Sequence, residues 1–189
     1  MKDPLPVEGV WPDLSTSRLS LRGPGDGDAE MSVGWRSDTA LRDGALGYSF
    51  PTNLEAEKRW LEGFNSGNPP TSVLFSVDAI TTGSLVGYVS LRDIDWISRA
   101  AEFGIVIGPA THRGTGLGGE ATELAIRYAF RVINLNRLWL RVADFNTAAI
   151  QIYRDLGFKQ EGTLRSHVYR NDAWHDVLIM GLLRGGDAD

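Results

Sequence analysis

A glycine-rich stretch, Gly108–Gly119, is the part of the sequence best suited to chemistry. It reads GPATHRGTGLGG and stands between a strand-like run and a helix-like run that begins near Leu117. A glycine-rich turn at the start of a helix exposes backbone N–H groups, and these groups and the helix dipole favour a bound anion. Arg113 adds a guanidinium group whose planar shape suits phosphate oxygens. The stretch therefore predicts a phosphate or pyrophosphate site.

Two nucleotide-binding motifs have to be compared with this turn. A Walker A motif is excluded, because it needs Lys and then Ser or Thr after the last glycine, and Glu-Ala follows Gly119 here. A dinucleotide fingerprint is matched by Gly114, Gly116 and Gly119, and Asp144 follows the next predicted strand, where a ribose-binding acid could lie. However, residues 109–112 separate the turn from its strand, and too little chain follows for further βαβ units. This alternative stays open, as does a glycine-rich loop that merely packs tightly.

The elements on either side of the turn must position it. Apolar residues at helical spacing predict a helix over 117–132. The other predicted helices span 27–36, 53–64 and 147–156, and the predicted strands span 18–22, 72–80, 84–92, 100–107, 137–142, 158–164 and 177–183. The three consecutive strands before the turn suggest an antiparallel meander. The succession of strand, helix and strand around the turn predicts a parallel pair.

Two motifs give the chain a family resemblance. The segment Arg113–Gly118 resembles the Q/R-x-x-G-x-G/A signature of the GNAT superfamily of N-acetyltransferases, and Asn146–Phe158 resembles its N-x-x-A-x-x-x-Y-x-x-x-G-F segment. Similarity runs from Arg18 to Leu183 and is weakest in the first 60 residues. The resemblance implies an α/β, single-domain GNAT-like fold, with a mixed central sheet of about six to seven strands, flanking helices and a splay where CoA enters.

Shorter runs resemble one branch of that family. They are Ala101-Glu-Phe, Val132-Ile-Asn-Leu and Glu161-Gly. The branch contains spermidine N-acetyltransferases, ribosomal-protein N-terminal acetyltransferases and nucleotide-amino-sugar acetyltransferases. Membership implies acetyl-CoA as the donor and an amine as the acceptor, without naming the amine.

The resemblance also implies residues that contact acetyl-CoA. A backbone N–H near Ile105–Ile107 is expected to hold the thioester carbonyl, and the loop backbone is expected to hold the pyrophosphate. Asn146 is a good helix cap by its type and position and is also expected to touch CoA. The full set is Ile105, Val106, Ile107, Arg113, Gly114, Thr115, Gly116, Leu117, Gly118, Asn146, Ala149 and Ile152.

Acetyl transfer to an amine needs a neutral amine and a proton for the departing thiolate. An alkylammonium is almost wholly protonated near neutral pH, so a base must first remove a proton. Glu102 is the candidate base, because the family often has an acid on this strand; the alternative is a strand-end charge that is exposed or paired with Arg99. Tyr153 matches the family tyrosine and is the candidate general acid; the alternative is a buried structural tyrosine.

Composition excludes several other classes of protein. There is no cysteine, which excludes disulfides and thiolate zinc sites and fits a reducing compartment. A formal net charge of −5 argues against non-specific nucleic-acid binding. No apolar run reaches the length of a membrane span, and the first residues do not resemble a secretory signal.

His167 and His175 are not at a zinc-binding spacing, so we expect no metal. We expect a cytoplasmic protein.

The sequence therefore predicts an enzyme that transfers acetyl from acetyl-CoA directly to the primary amine of a small molecule. Polyamines and amino sugars are the leading acceptors. A protein N-terminus is the alternative acceptor, and a catalytically silent acyl-CoA-binding regulator is the alternative function. We expect an irregular arm over residues 1–15, the acetyltransferase domain over 16–183 and a tail over 184–189. We also expect a homodimer or higher homo-oligomer.

Overall fold

The computed structural model describes residues 13–44, 46 and 50–186. Within these ranges the strands form one mixed sheet of seven, in the order β1-β2-β3-β4-β5-β7-β6. The strands are β1 Leu19–Arg22, β2 Val73–Ala79, β3 Ser84–Asp95, β4 Ala100–Ile107, β5 Arg137–Ala143, β6 Lys159–Arg170 and β7 Ala173–Leu183. The predicted meander is confirmed, because β1 to β4 pair in sequence order and antiparallel.

The helices lie between these strands. They are α1 Asp28–Ser32, α2 Thr39–Gly44, α3 Leu54–Glu62, α4 Leu117–Arg127 and α5 Thr147–Asp155. A 3-10 segment, Val33–Ser37, follows α1, and a second one, Ala110–His112, precedes the glycine-rich turn. Helix α4 continues into a π turn over Tyr128–Val132. The Asn53 side chain caps α3 by accepting a hydrogen bond from the N–H of Ala56 at 2.9 Å.

The parallel pair β4–β5 opens partway along its length. In the described chain the two strands pair only where Ala100, Ala101 and Glu102 lie opposite Arg137, Leu138 and Trp139. From Phe103 to Ile107, β4 stays paired with β3 but is no longer paired with β5. The predicted parallel pair and splay are both confirmed. The result is a gap in the sheet, with one edge of β4 open to it.

The two faces of the sheet are covered by different helices. The main hydrophobic cluster packs α4 and α5 against one face, with Leu124, Phe103 and Tyr153 among its buried members. A smaller cluster on the other face joins Leu74, Leu85 and Tyr88 to Trp35, Trp60 and residues at the end of α3. Because successive strand residues point to opposite faces, every residue of β4 can be assigned to one side or the other.

Several element boundaries differ from the sequence prediction. Strands β6 and β7 are longer than expected, because the register shifts between Leu164 and Val168 and interrupts the alternation that marks a strand. The predicted helix 27–36 is a short α-helix followed by a 3-10 segment, and α2 was not predicted. Residues 1–12 and 187–189, parts of the predicted arm and tail, lie outside the described residues, so the domain boundaries stay predictions.

None of the helices in the described ranges has both the length and the apolar character needed to cross a bilayer. No group of three or more His, Cys, Asp or Glu side chains among the residues described is arranged to hold a metal ion.

Candidate active site

The glycine-rich turn leads directly into α4, as the sequence predicts. Gly114 has φ 72° and Gly116 has φ 89°, both in the left-handed region that glycine tolerates and other residues avoid. Gly116 is the N-cap, and the first helical hydrogen bonds run from the N–H groups of Gly119 and Glu120 to its carbonyl, at 3.1 and 3.3 Å. The N–H groups of Leu117 and Gly118 precede those bonds. The turn therefore presents backbone donors at the positive end of a helix dipole.

The start of α4 lies beside the open edge of β4 and beside α5. A Cβ placed on Gly118 would meet the side chain of Ile107 at 3.9 Å, and one placed on Gly119 would meet Ile152 at 3.8 Å. Ile105, Ala149 and Ile152 are partly buried against the main cluster, whereas Val106 packs into the smaller cluster on the other face. The structure thus brings the predicted loop, β4 and α5 residues to one place.

The Arg113 side chain has partners within the protein. Its guanidinium group donates to the carbonyl of Gly108, at 3.2 Å from Nε and 2.8 Å from Nη2, and forms an ion pair with Asp38. These bonds close the loop on itself and tie it to the N-terminus of α2. The side chain is therefore engaged within the protein, and its contact with a phosphate stays a prediction.

A second contact holds the beginning of the loop. The indole ring of Trp35, in the 3-10 segment after α1, lies directly on Gly108, and a Cβ there would overlap the ring. Trp35 also packs on Tyr88, with ring centroids 5.6 Å apart. Trp35 and Asp38 together connect the α1–α2 side of the molecule to the glycine-rich loop, a role that sequence reasoning missed.

Arg18 is a further residue that the sequence did not point to. From the start of β1 its Nη1 donates to the carbonyl of Thr115 at 2.9 Å, and its Nε donates to Glu120 at 2.7 Å. A Cβ on Gly116 would lie 3.1 Å from Nη2 of Arg18. A guanidinium group therefore does lie against the turn, although a carboxylate of α4 already pairs with it.

Tyr153 lies in an aromatic cluster beside the gap. Its ring packs edge-on against Phe103 at 6.2 Å between centroids and against Phe158 at 5.7 Å, and the residue is 8% exposed. Burial raises the pKa of the Tyr153 phenol to about 12, because an apolar environment disfavours the phenolate. The phenol is therefore protonated across the range in which an enzyme works.

Glu102 is buried, not exposed at the end of a strand. It is 3% exposed, and its carboxylate accepts a hydrogen bond from Nε of Arg141 at 2.8 Å and lies 3.5 Å from Nη2 of Arg92. The alternative of a pair with Arg99 is wrong. Because Phe103 contacts Tyr153, its neighbour Glu102 points to the opposite face of the sheet. The two candidate catalytic residues thus flank the gap from opposite sides.

Asn146 is the N-cap of α5, as predicted. Its Oδ1 accepts a hydrogen bond from the N–H of Ala149 at 3.3 Å, and its Nδ2 donates to the carbonyl of Gly44 at 3.3 Å. The side chain therefore joins α5 to the end of α2. A contact between Asn146 and CoA stays a prediction.

A comparison with profiles of known protein families finds a match that agrees with the glycine-rich loop and the fold described above. A profile of the acetyltransferase (GNAT) domain matches residues 18–159, which is most of the chain. The chain belongs to the GNAT acetyltransferase family. The predicted family and α/β fold class are therefore confirmed.

Spermidine acetyltransferases are among the relatives of this GNAT chain. Spermidine N(1)-acetyltransferase of Escherichia coli strain K12 is 41% identical over 98 residues, which is 52% of each protein. The chain spans about half the length of the curated relatives it matches. A crystal structure of the Vibrio cholerae spermidine N-acetyltransferase with CoA and spermine is similar with a TM-score of 0.78 and 28% identity, over 89% of this chain and 96% of that one. A dodecameric structure of the same enzyme is similar with a TM-score of 0.74 and 28% identity, over 89% of this chain and 95% of that one.

Proposed function

We propose that this protein is an acetyl-CoA-dependent N-acetyltransferase that acts on the primary amine of a small molecule. The observation that carries the proposal is the glycine-rich turn at the start of α4, placed beside the gap between β4 and β5 in a chain of the GNAT family. Polyamines are the first acceptor class, supported by the names of the relatives and by the spermine in the similar structure. Amino sugars are the second.

In the proposed complex, the backbone of Arg113, Gly114, Thr115, Gly116, Leu117 and Gly118 binds the pyrophosphate. The pantetheine arm follows the open edge of β4, where Ile105–Ile107 lack a neighbouring strand on one side. An extended chain can form hydrogen bonds there as an added strand would. A β4 N–H in this segment would hold the thioester carbonyl oxygen as it becomes an oxyanion. Ala149 and Ile152 would cover the arm from α5.

The proposed reaction is direct transfer. The neutral amine attacks the thioester carbonyl carbon, a carbon–nitrogen bond forms, and the tetrahedral intermediate collapses with cleavage of the carbon–sulfur bond. The Tyr153 phenol would give its proton to the leaving sulfur, and the phenolate would recover one from the protonated nitrogen of the intermediate, directly or through water. Its raised pKa keeps it protonated until that step.

Glu102 is the proposed acceptor of the proton that the ammonium form of the substrate must lose. Since its carboxylate is buried, a water molecule would have to relay the proton. A proton arriving on Glu102 would also weaken its ion pairs with Arg141 and Arg92. We therefore expect its contribution to turnover to be smaller than that of Tyr153.

We also propose that the chain forms a homo-oligomer, a dimer or larger. The dodecameric structure of the similar Vibrio cholerae enzyme supports this proposal. Light scattering coupled to size-exclusion chromatography measures the mass in solution, and a monomer at micromolar concentration would contradict it.

A screen of acceptors tests the function. Thiol release from acetyl-CoA is measured with polyamines, amino sugars and peptides that have free N-termini. Release that requires a small amine supports the proposal, and release with peptides alone would instead indicate an N-terminal protein acetyltransferase. Tight acetyl-CoA binding without release for any acceptor would indicate a silent acyl-CoA-binding regulator.

A further inference from the structure

Two guanidinium groups share one buried carboxylate at the closed end of the β4–β5 gap. Arg141 of β5 donates from Nε to Glu102 at 2.8 Å, and Nη2 of Arg92 in β3 lies 3.5 Å from the same oxygen. Two positive charges and one negative charge leave a local excess of one positive charge. The whole chain has a formal net charge of −5, so this excess is a local feature and not a general property of the surface.

Arg141 and Arg92 lie next to the point where β4 and β5 separate. Trp139 is the last residue of β5 that pairs with β4, and Arg141 lies two residues beyond it on the same face as Glu102. Across the gap, Gly104 lies two residues beyond Glu102. A Cβ on Gly104 would be 2.9 Å from Ser90 Oγ and 3.4 Å from Nη2 of Arg92. The guanidinium groups therefore flank β4 at the point where it separates from β5.

Both guanidinium groups have N–H donors that are not bonded to Glu102. The Arg141 and Arg92 side chains are 40% and 45% exposed, whereas that of Glu102 is 4% exposed. The hydrogen bond to Glu102 uses Nε of Arg141, and across the described residues no other carboxylate pairs with either arginine. Among the described residues, no hydrogen bond from the Nη nitrogens of Arg141 is seen, so a molecule that enters from the α3 side could accept from them.

That side is where the acceptor must approach in the proposed function. Tyr153 and the α4–α5 cluster cover the opposite face of the gap, so an amine reaching a thioester on β4 enters past Arg141 and Arg92. A guanidinium fork matches the paired oxygens of a carboxylate or a phosphate. It repels a second ammonium group, which is the feature that distinguishes a polyamine from a simple amine.

Resting on the proposed acetyltransferase function, we propose that the acceptor amine carries an oxyanion, and that Arg141 and Arg92 bind it. The oxyanion is a carboxylate or a phosphate. Glu102 holds the two guanidinium groups in place by pairing with both. This inference ranks amines that also bear a negative charge above the polyamines, which the names of the relatives favour.

Matched pairs of acceptors test this inference. Tyrosine is compared with tyramine, and glucosamine phosphorylated on its primary hydroxyl is compared with glucosamine, with spermidine as the polycationic comparator. We expect kcat/KM to be about 10- to 100-fold higher for the anionic member of at least one pair, as charge-assisted hydrogen bonds provide. The pair that shows the preference identifies the carboxylate or the phosphate as the group bound.

Substitutions of Arg141 and Arg92 test whether these residues cause the preference for anionic acceptors. Arg141→Gln and Arg92→Gln should each lower the ratio of kcat/KM for an anionic acceptor to kcat/KM for its partner without the oxyanion, while KM for acetyl-CoA stays within about twofold. Because both arginines also pair with Glu102, a change in proton removal affects both members of a pair, and only the ratio reports the contact with the oxyanion. Arg141→Lys keeps the charge but loses the fork and should keep part of the preference. Arg131 is an exposed arginine in the π turn after α4, and Arg131→Gln is the matched control. Melting temperatures identify a variant that fails to fold, and Arg92→Gln then carries the test because its contact with Glu102 is longer.

Two results would overturn the inference while leaving the enzyme function standing. One is a higher kcat/KM for spermidine than for every anionic acceptor. The other is an anion preference that Arg141→Gln and Arg92→Gln leave unchanged. If no amine releases thiol although acetyl-CoA binds, the acetyltransferase function fails, and this inference fails with it.

Discussion

Replacing Tyr153 by Phe removes one hydroxyl group and keeps an aromatic ring in the cluster. The ring contacts with Phe103 at 6.2 Å and Phe158 at 5.7 Å do not involve the hydroxyl, and within the described chain no side chain forms a hydrogen bond with it. We therefore expect the free energy of unfolding at neutral pH to change by about 1 kcal/mol or less. General acid catalysis is typically worth about 10²- to 10⁴-fold, so kcat should fall by that factor.

The raised pKa of Tyr153 adds a stability test at high pH. The phenol ionises near pH 10 in the unfolded chain and only near 12 in the folded one, so the folded state binds more protons in between. Stability attributable to this group is complete below pH 10 and is lost as pH rises through about 12, by roughly 2–3 kcal/mol in total. Tyr153→Phe should lose less stability than the parent over that range, and chemical denaturation at several pH values measures the difference.

Steady-state turnover and calorimetry separate the two possible roles of Tyr153. A catalytic role predicts a large loss in kcat with the affinity for acetyl-CoA and the melting temperature nearly unchanged. If Tyr153→Phe turns over within about threefold of the parent, at a pH where chemistry limits the rate, the phenol does not supply the proton. The thiolate would then leave unassisted and the tyrosine would be structural.

Three further changes probe the loop and the base. Gly116→Asp should weaken acetyl-CoA binding by more than about tenfold in calorimetry, because it adds a negative charge at the helix N-terminus; Gly116→Ala has the same strain at φ 89° without the charge, and equal losses in both would refute the electrostatic explanation. Glu102→Gln should lower turnover at neutral pH and lose less at high pH, where more amine is already neutral, and an unchanged pH–rate profile would remove Glu102 from the mechanism. Gly108→Ala should lower stability by about 1–3 kcal/mol because its Cβ overlaps Trp35; Gly118→Ala is the control, and equal melting temperatures would contradict the overlap.

The glycine-rich turn, α4 and α5 could be predicted because each depends on neighbours in sequence. Left-handed glycines, a helical period and a capping asparagine are all local signals. The parallel β4–β5 pair followed from the helix between the strands. By contrast, the long β6–β7 hairpin was underestimated, because the shift between Leu164 and Val168 breaks the alternating pattern.

The partners of charged side chains could not be predicted from the sequence. Arg113 pairs with Asp38, which is 75 residues away, and Arg18 pairs with Glu120, which is 102 residues away. Nothing local distinguishes an arginine that binds phosphate from one that closes a loop. Glu102 could be placed on the right strand by resemblance, but its burial between two guanidinium groups depends on where β3 and β5 lie.

The most direct test of the proposed function follows the acetyl group itself. Acetyl-CoA with an isotope-labelled acetyl group is incubated with the protein and the preferred amine, and mass spectrometry of the amine is compared with the free thiol released. We expect one labelled acetyl group on the amine nitrogen for each CoA thiol set free, with no label left on the protein. Thiol release without acetylated amine would mean that water is the acceptor and would contradict N-acetyl transfer.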